Sequence, residues 1–185
     1  MEHIVTYKGE KFTPLEPDIN KIHIEDIAHS LSLMCRANGH IDYFFSIAQH
    51  SINCANEAKA RGYTSKVQLS CLIHDASEAY ISDITRPVKR YLPEYKEIEK
   101  RLQDVIYTKF LGGCIPEDEI MLVNQIDNEM LACEMSCLMK RASGNNPIPK
   151  MSGDLSFIYR NQTDVENEFL KVYYGIMHAG LILGR

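Results

Sequence analysis

The 185-residue chain carries 20 basic and 25 acidic residues, a formal charge of −5, with 45% hydrophobic and 24% charged content. That length suits one domain with its own core, and that balance excludes a disordered, fibrous or strongly basic nucleic-acid-binding chain. No run of about 18 apolar residues occurs and the N-terminal MEHIVTYKGEKF lacks the marks of a secretion signal, so a cytoplasmic setting with no membrane or nucleic-acid polymer partner is expected. The six cysteines then read as small buried side chains rather than disulfides.

Residues 4–17, IVTYKGEKFTPLEP, alternate weakly around Gly9, Pro14 and Pro17 and predict a short extended arm. Apolar residues at 24, 27, 28, 31, 34 and 35 predict an amphipathic helix from Ile24 to about Ala37, stopped by Asn38 and Gly39. A second helix is predicted from Phe45 to about Arg61 on the stripe Ile47, Ser51, Cys54, Ala55 and Ala58. A third starts at Thr64 or Ser65 and carries Val67, Cys71, Leu72 and His74. The two prolines of DITRPVKRYLP predict a loop or short helical turns.

From Glu94, the stripe Tyr95, Ile98, Leu102, Val105, Ile106 and Phe110 predicts a helix closed by Gly112 and Gly113. Pro116 followed by three acids starts another, running to about Lys140. SGNNPIPKMSGD at 143–154 predicts an exposed loop. A last helix from Asp164 to Leu183 presents Tyr173, Ile176, Met177 and Leu181 to the core or to a second copy, which leaves a homodimer as one option. The expected class is all-α with a short N-terminal extended segment. One domain, 1–185, is divided into an arm over 1–21, a core over about 22–140, and a C-terminal loop and helix over 141–185.

Three positions break the apolar pattern. His50 lies three residues after Ile47 and four before Cys54, on the inward stripe. His74 follows Cys71 by three, with Asp75 beside it and Glu78 one turn on. Asp127 lies four after Val123 and four before Leu131, and no basic residue shares its helix before Lys140. An unpartnered carboxylate in an apolar interior costs many kcal/mol, so it must be neutralised, paired or bound to metal. Singly, each has a plainer account: His50 as a hydrogen-bonded core histidine, Asp127 as an acid paired to Arg36 or Arg86. Together they suggest that His50, His74, Asp75 and Asp127 converge on one divalent cation, two nitrogens and two oxygens suiting manganese, cobalt, iron, zinc or magnesium.

SIAQHS at 46–51 and HDASEAYISDITRPVK at 74–89, with the distant Asp127, resemble the HD-domain metal-dependent phosphohydrolases. The two phrases are similar to those of the 5′-deoxynucleotidase branch, and the resemblance covers roughly residues 22–140. It implies an HD-domain helical bundle holding one divalent metal on His50, His74, Asp75 and Asp127, which activates water for attack on phosphorus. It further implies that Glu78 is the catalytic glutamate, that Asp83 contacts the sugar or assists the leaving group, and that Arg36 grips the phosphate, with Lys89 a further phosphate candidate. The substrate it implies is a (deoxy)nucleoside 5′-monophosphate, cleaved to nucleoside and phosphate. The alternatives are a nucleoside triphosphohydrolase or pyrophosphohydrolase and, in another class, a module that senses a nucleotide without turning it over. Two departures bear on this: Ala37 stands where the branch has an aromatic residue, with Tyr43, Phe44 or Phe45 as substitutes, and no histidine lies between His74 and His178 to hold a second metal.

Overall fold

Helix α2, Ile47–Ala60, runs through the middle of the computed structural model, which describes residues 2–139 and 147–183, with side chains to Gly180. It is packed by α1 (Ile24–Leu33), α3 (Ser65–Ile73), α7 (Glu117–Leu138) and α8 (Gln162–Leu183). The short helices α4 (Glu78–Ile81) and α5 (Arg86–Lys89) lead to α6 (Pro93–Leu111), which rests on α3. The architecture is all-α. Its sheet is one antiparallel hairpin, β1 (Ile4–Val5) with β2 (Lys11–Phe12), in which Ile4 pairs with Phe12 and Phe12 is buried in the main core.

The sequence reasons for these elements are local. Ser46 and Gln49 form a reciprocal capping box that starts α2, Thr64 caps α3 by accepting from the Val67 amide, and Gly112 ends α6 in the left-handed conformation at φ 76°. Glu117, Asp118 and Glu119 occupy the first turn of α7, where acids favour the positive end of the helix dipole. The main core gathers Ile27, Leu31, Ile47, Leu72, Leu102, Ile106 and Phe169. Each such side chain contributes about 1.5–3 kcal/mol by leaving water. A second cluster, Cys54, Val67, Cys71, Val123, Ile126 and Met130, lies between α2, α3 and α7.

Three features differ from the sequence expectation. Helix α1 ends at Leu33 rather than Ala37, because Cys35 pairs with Ser46 across a β-bridge: the Arg36 amide donates to the Phe45 carbonyl at 2.8 Å and the Ile47 amide to that of Met34 at 3.0 Å. A tight turn, Arg36–Gly39, follows, with Ala37 and Asn38 both left-handed (φ 51° and 50°), costing roughly 1–2 kcal/mol each. Next, the helix expected to run on from α3 breaks at His74. The Ala76 amide donates to Ile73 and that of Glu78 to Asp75, contacts between residues three apart, and the chain restarts as α4.

The third concerns α2, expected to be amphipathic but buried on nearly every side: eleven of its fourteen residues are inside. The polar ones on the far face are covered by the segment 147–161, which crosses them as an extended strap. Gln49 Nε2 donates to the Ile158 carbonyl at 3.1 Å. Asn53 exchanges two bonds with Ser156, at 3.0 and 3.2 Å. Glu57 accepts from the Ser152 amide at 2.9 Å and from Gly153 at 2.7 Å. The strap also roofs the second cluster with Met151, Leu155 and Phe157. Of the loop predicted at 143–154, residues 143–146 lie outside those described, as does Lys140. On α8, Tyr173 and Ile176 are buried against the chain's own core; the side chain of Leu181 lies outside those described.

Candidate metal centre

The structure brings His50, His74, Asp75 and Asp127 together. His50 projects from α2, Asp127 from α7, His74 from the C-cap of α3, and Asp75 from the turn that follows, so two of the four stand at a helix break rather than within a helix. That break rotates Asp75 towards His74. Nε2 of His50 lies 3.2 Å from Nε2 of His74 and 3.3 Å from Asp127 Oδ1. Nε2 of His74 lies 3.3 Å from Asp75 Oδ2 and 3.8 Å from Asp127 Oδ1, while His50 Nε2 and Asp75 Oδ2 are 3.9 Å apart. Ligand atoms that share one cation at about 2.0–2.2 Å stand about 3.0–3.5 Å from one another. Two imidazole nitrogens facing each other at such a distance need a proton or a cation between them, and the set fits a divalent cation.

The electrostatics agree with that demand. Burial pushes the pKa of Asp127 up, but the bonds to His50 and His74 outweigh it and hold the carboxyl well below the usual range. Burial likewise pushes His74 down, yet Asp75 and Asp127 raise it to about 9. For His50, burial and Arg36 act downward, and Glu134 and Asp127 raise the net value above the ordinary one. The carboxylates thus favour positive charge between the two imidazoles, whether a shared proton or a cation. Arg86, 56% exposed, closes the outer side of Asp127 with a 2.7 Å bond to Oδ2, one of the two pairings open for that aspartate in the sequence.

Glu78 begins α4 and is buried at the edge of this group. Its Oε2 has no hydrogen-bond partner, and its Oε1 lies 4.0 Å from Lys89 Nζ. Burial, then Asp75 and Asp83, pushes its carboxyl up to about 10. Asp83 is half-buried and directly follows Ser82, a non-glycine residue at φ 71° whose carbonyl accepts from the Tyr95 hydroxyl at 2.6 Å. Lys89 donates to Glu99 at 2.6 Å and sits over the Tyr95 ring, so its ammonium is engaged rather than solvated. Left-handed non-glycine backbone thus adjoins both Arg36 and Asp83, and such strain collects at functional sites.

Arg36 is nearly enclosed. Its guanidinium donates to Glu134 Oε2 at 3.1 Å and lies 3.6 Å from Asp75 Oδ2. Glu134 also accepts from His50 Nδ1 at 2.7 Å and has no exposed surface. The sequence reading passed over Glu134, although it lies seven residues after Asp127 on the same face of α7. Cys54, expected as a small buried side chain on the stripe that carries His50, is buried one turn beyond it, with its sulfur 3.6 Å from His50 Nε2. His50, Cys54 and His74 have ligand atoms within 4.8 Å of one another, a possible metal-binding trio among the described residues. Burial holds the Cys54 thiol well above its ordinary range, which disfavours thiolate. Of the aromatic residues that could stand in beside Ala37, Phe45 is fully buried and stacks on Phe157, and Tyr43 donates its hydroxyl to the Phe157 carbonyl. Outside the site, His29 stacks on Tyr7 and bonds Glu166 at 3.0 Å, while His40 is exposed.

An all-α bundle with this polar cluster at its centre is the class that the fold and site define, and comparison with known proteins agrees in part. No protein-family model matches the chain. It is 39% identical over 110 residues to the uncharacterized protein YfdR of Escherichia coli K12, covering 60% of this chain and 59% of that protein. It is 36% identical over 108 residues to the uncharacterized protein RCAP_rcc00048 of Rhodobacter capsulatus, covering 55% of each. The chain therefore spans less than two thirds of the length of these two relatives. A more distant similarity, 26% over 156 residues, runs to the 5′-deoxynucleotidase of Cronobacter sakazakii, over 74% of this chain and 77% of that enzyme. Among the described residues no helix is long and apolar enough to cross a membrane.

Proposed function

We propose that the chain is a single-domain, HD-type, metal-dependent phosphohydrolase that cleaves nucleoside 5′-monophosphates to nucleoside and phosphate. The observation that carries this reading is the convergence of two imidazoles and two carboxylates beside a buried, unpartnered glutamate oxygen. Distant similarity to 5′-deoxynucleotidases supports the choice of substrate. His50, His74, Asp75 and Asp127 would hold one divalent cation, which supplies Lewis acidity at the phosphoryl oxygen and a more acidic water. Beside a cation held there, Glu78, whose carboxyl is otherwise raised to about 10, would favour its ionised form, and the carboxylate would then take the proton from the attacking water through its free Oε2. Arg36, fixed by Glu134, offers guanidinium N–H groups to the phosphate, and Lys89 adds positive charge from the Glu78 side. Asp83, whose charge acts on Glu78, is assigned to the leaving group or the sugar.

Selectivity for deoxyribose is not part of the reading. With Ala37 after Arg36, and Phe45 and Tyr43 both committed to the Phe157 contact, neither aromatic is free to screen a 2′-hydroxyl at that place. The half-buried Phe44 is the remaining aromatic of that stretch, and comparable rates for ribo- and deoxyribonucleotides are expected unless it meets the sugar. A phosphate-release screen of nucleoside mono-, di- and triphosphates with manganese, cobalt, magnesium and zinc tests this. The reading predicts release from monophosphates that disappears in Glu78→Gln. Nucleotide binding without release, unchanged by that substitution, would instead mark a sensor module, and release confined to triphosphates a different hydrolase.

A further inference from the structure

We propose that Glu134 is a positioning residue that joins the cation-binding histidine to the phosphate-binding arginine, so that neither can be set correctly without it. The proposal rests on the phosphohydrolase reading above. Each Glu134 oxygen serves one partner: Oε1 accepts from His50 Nδ1 at 2.7 Å, and Oε2 accepts from the Arg36 guanidinium at 3.1 Å. The carboxylate is fully buried, two helical turns past Asp127 on α7, and among the described residues it has no other hydrogen-bond partner.

The bond to Nδ1 selects the tautomer. A neutral imidazole carries one hydrogen, and His50 has an acceptor at each end: Glu134 at 2.7 Å from Nδ1 and Asp127 at 3.3 Å from Nε2. Without Glu134, Asp127 would draw the hydrogen to Nε2 and block the lone pair that faces His74. The shorter contact places the hydrogen on Nδ1 and leaves Nε2 bare for a cation. The same carboxylate locates Arg36, whose backbone is already pinned by its 2.8 Å bond to Phe45, and keeps NH1 3.6 Å from Asp75, beside the cation's ligands.

An amide cannot do both tasks. Glutamine has one oxygen and one NH2; the guanidinium, a charged donor, takes the oxygen and leaves the NH2 pointing at His50. His50 must then accept at Nδ1 and carry its hydrogen on Nε2, the arrangement that excludes a cation. A purely packing role would place no such demand on the atom types.

The test measures Mn2+ affinity by calorimetry, with melting temperatures in EDTA as the control for folding. Wild type, Glu134→Gln, Arg36→Met and the double variant Arg36→Met/Glu134→Gln are compared. Glu134→Gln is expected to bind Mn2+ about 10–100-fold more weakly than wild type. The double variant frees the amide oxygen for His50 and is expected to recover affinity to within about threefold of Arg36→Met, while competition by inorganic phosphate remains lost, a split that follows from the two separate bonds. Wild-type affinity in Glu134→Gln, or no recovery in the double variant, overturns the assignment. If Glu134→Gln does not fold, Arg36→Met/Glu134→Met, which leaves His50 Nδ1 without an acceptor, is compared with Arg36→Met/Glu134→Gln: weaker Mn2+ binding in the methionine variant supports the role and equal affinity overturns it. A wild type that binds neither Mn2+, Co2+ nor Zn2+ overturns the phosphohydrolase reading itself, and this assignment with it.

Discussion

On the proposed reading, protons and a cation compete for the same imidazole nitrogens, so metal affinity should be a steep function of pH. His74 is raised to about 9 by Asp75 and Asp127 against the effect of burial. At pH 7 it lies 9 − 7 = 2 units below that value, so releasing its proton weakens apparent cation binding by about 100-fold, or about 2.7 kcal/mol. The penalty shrinks by about tenfold per unit as the pH rises towards 9, and His50, also raised, steepens the slope if its proton leaves as well. Calorimetric titration with Mn2+ between pH 6.5 and 8.5 should show affinity rising at least about tenfold per unit. Parallel runs in buffers of different ionisation enthalpy should show one to two protons released per cation. Binding that is flat across this window, with no proton release, would refute the claim that the imidazoles are the ligands.

The same shift has a sign for stability. Because the folded His74 pKa exceeds its unfolded value of about 6.5, its contribution is fully present below that pH and is lost as pH rises through about 9. Glu78, raised to about 10, acts in the same direction. The EDTA-treated protein should therefore melt at progressively lower temperature from pH 6.5 to 9, on the order of 3 kcal/mol from His74, and excess Mn2+ should flatten the decline. Glu78→Gln should lower the rate of phosphate release by about 100-fold or more without weakening metal affinity. It should not lower the melting temperature in EDTA at pH 6.5, since an amide replaces a neutral carboxyl with an unpartnered oxygen. Gly153→Ala should destabilise by about 1–3 kcal/mol in urea melts, because its Cβ would stand 3.1 Å from the backbone N and Cα of Glu57. An unchanged midpoint would mean that the strap gives way there.

Much of the centre was legible because its residues violate helical periodicity locally. His50 on an apolar stripe and Asp127 without a basic neighbour are anomalies within a few residues, and the phrase HDASEAY adds the doublet. Glu134 obeys the same logic, seven residues after Asp127, but the partners that give it meaning come from α1's end and α2, 98 and 84 residues away. Helix ends were less legible. Leu33 and Ile73 end their helices because of a β-bridge to Ser46 and a three-residue bonding pattern at the doublet, neither of which composition announces. The stripe Gln49, Asn53 and Glu57 was visible at four-residue spacing and reads as a solvent face. It is interior only because a segment without periodicity of its own lies over it, and backbone groups that need side-chain partners leave no signature in a hydropathy pattern.

That strap sets an order of events during synthesis. The polar side chains of α2 meet their backbone partners across 95 to 109 residues of chain. At about 5–20 residues per second, the helix leaves the ribosome several seconds to some twenty seconds before those partners exist. During that interval Gln49 has its capping bond to Ser46 and Glu57 its bond to Arg61, but the groups that the strap will meet are satisfied by water, so the nascent helix keeps one wet side and the second cluster stays unroofed. Closure of the bundle around His50 is therefore a late event in the birth of the molecule, timed by the arrival of residues that never touch the cation site.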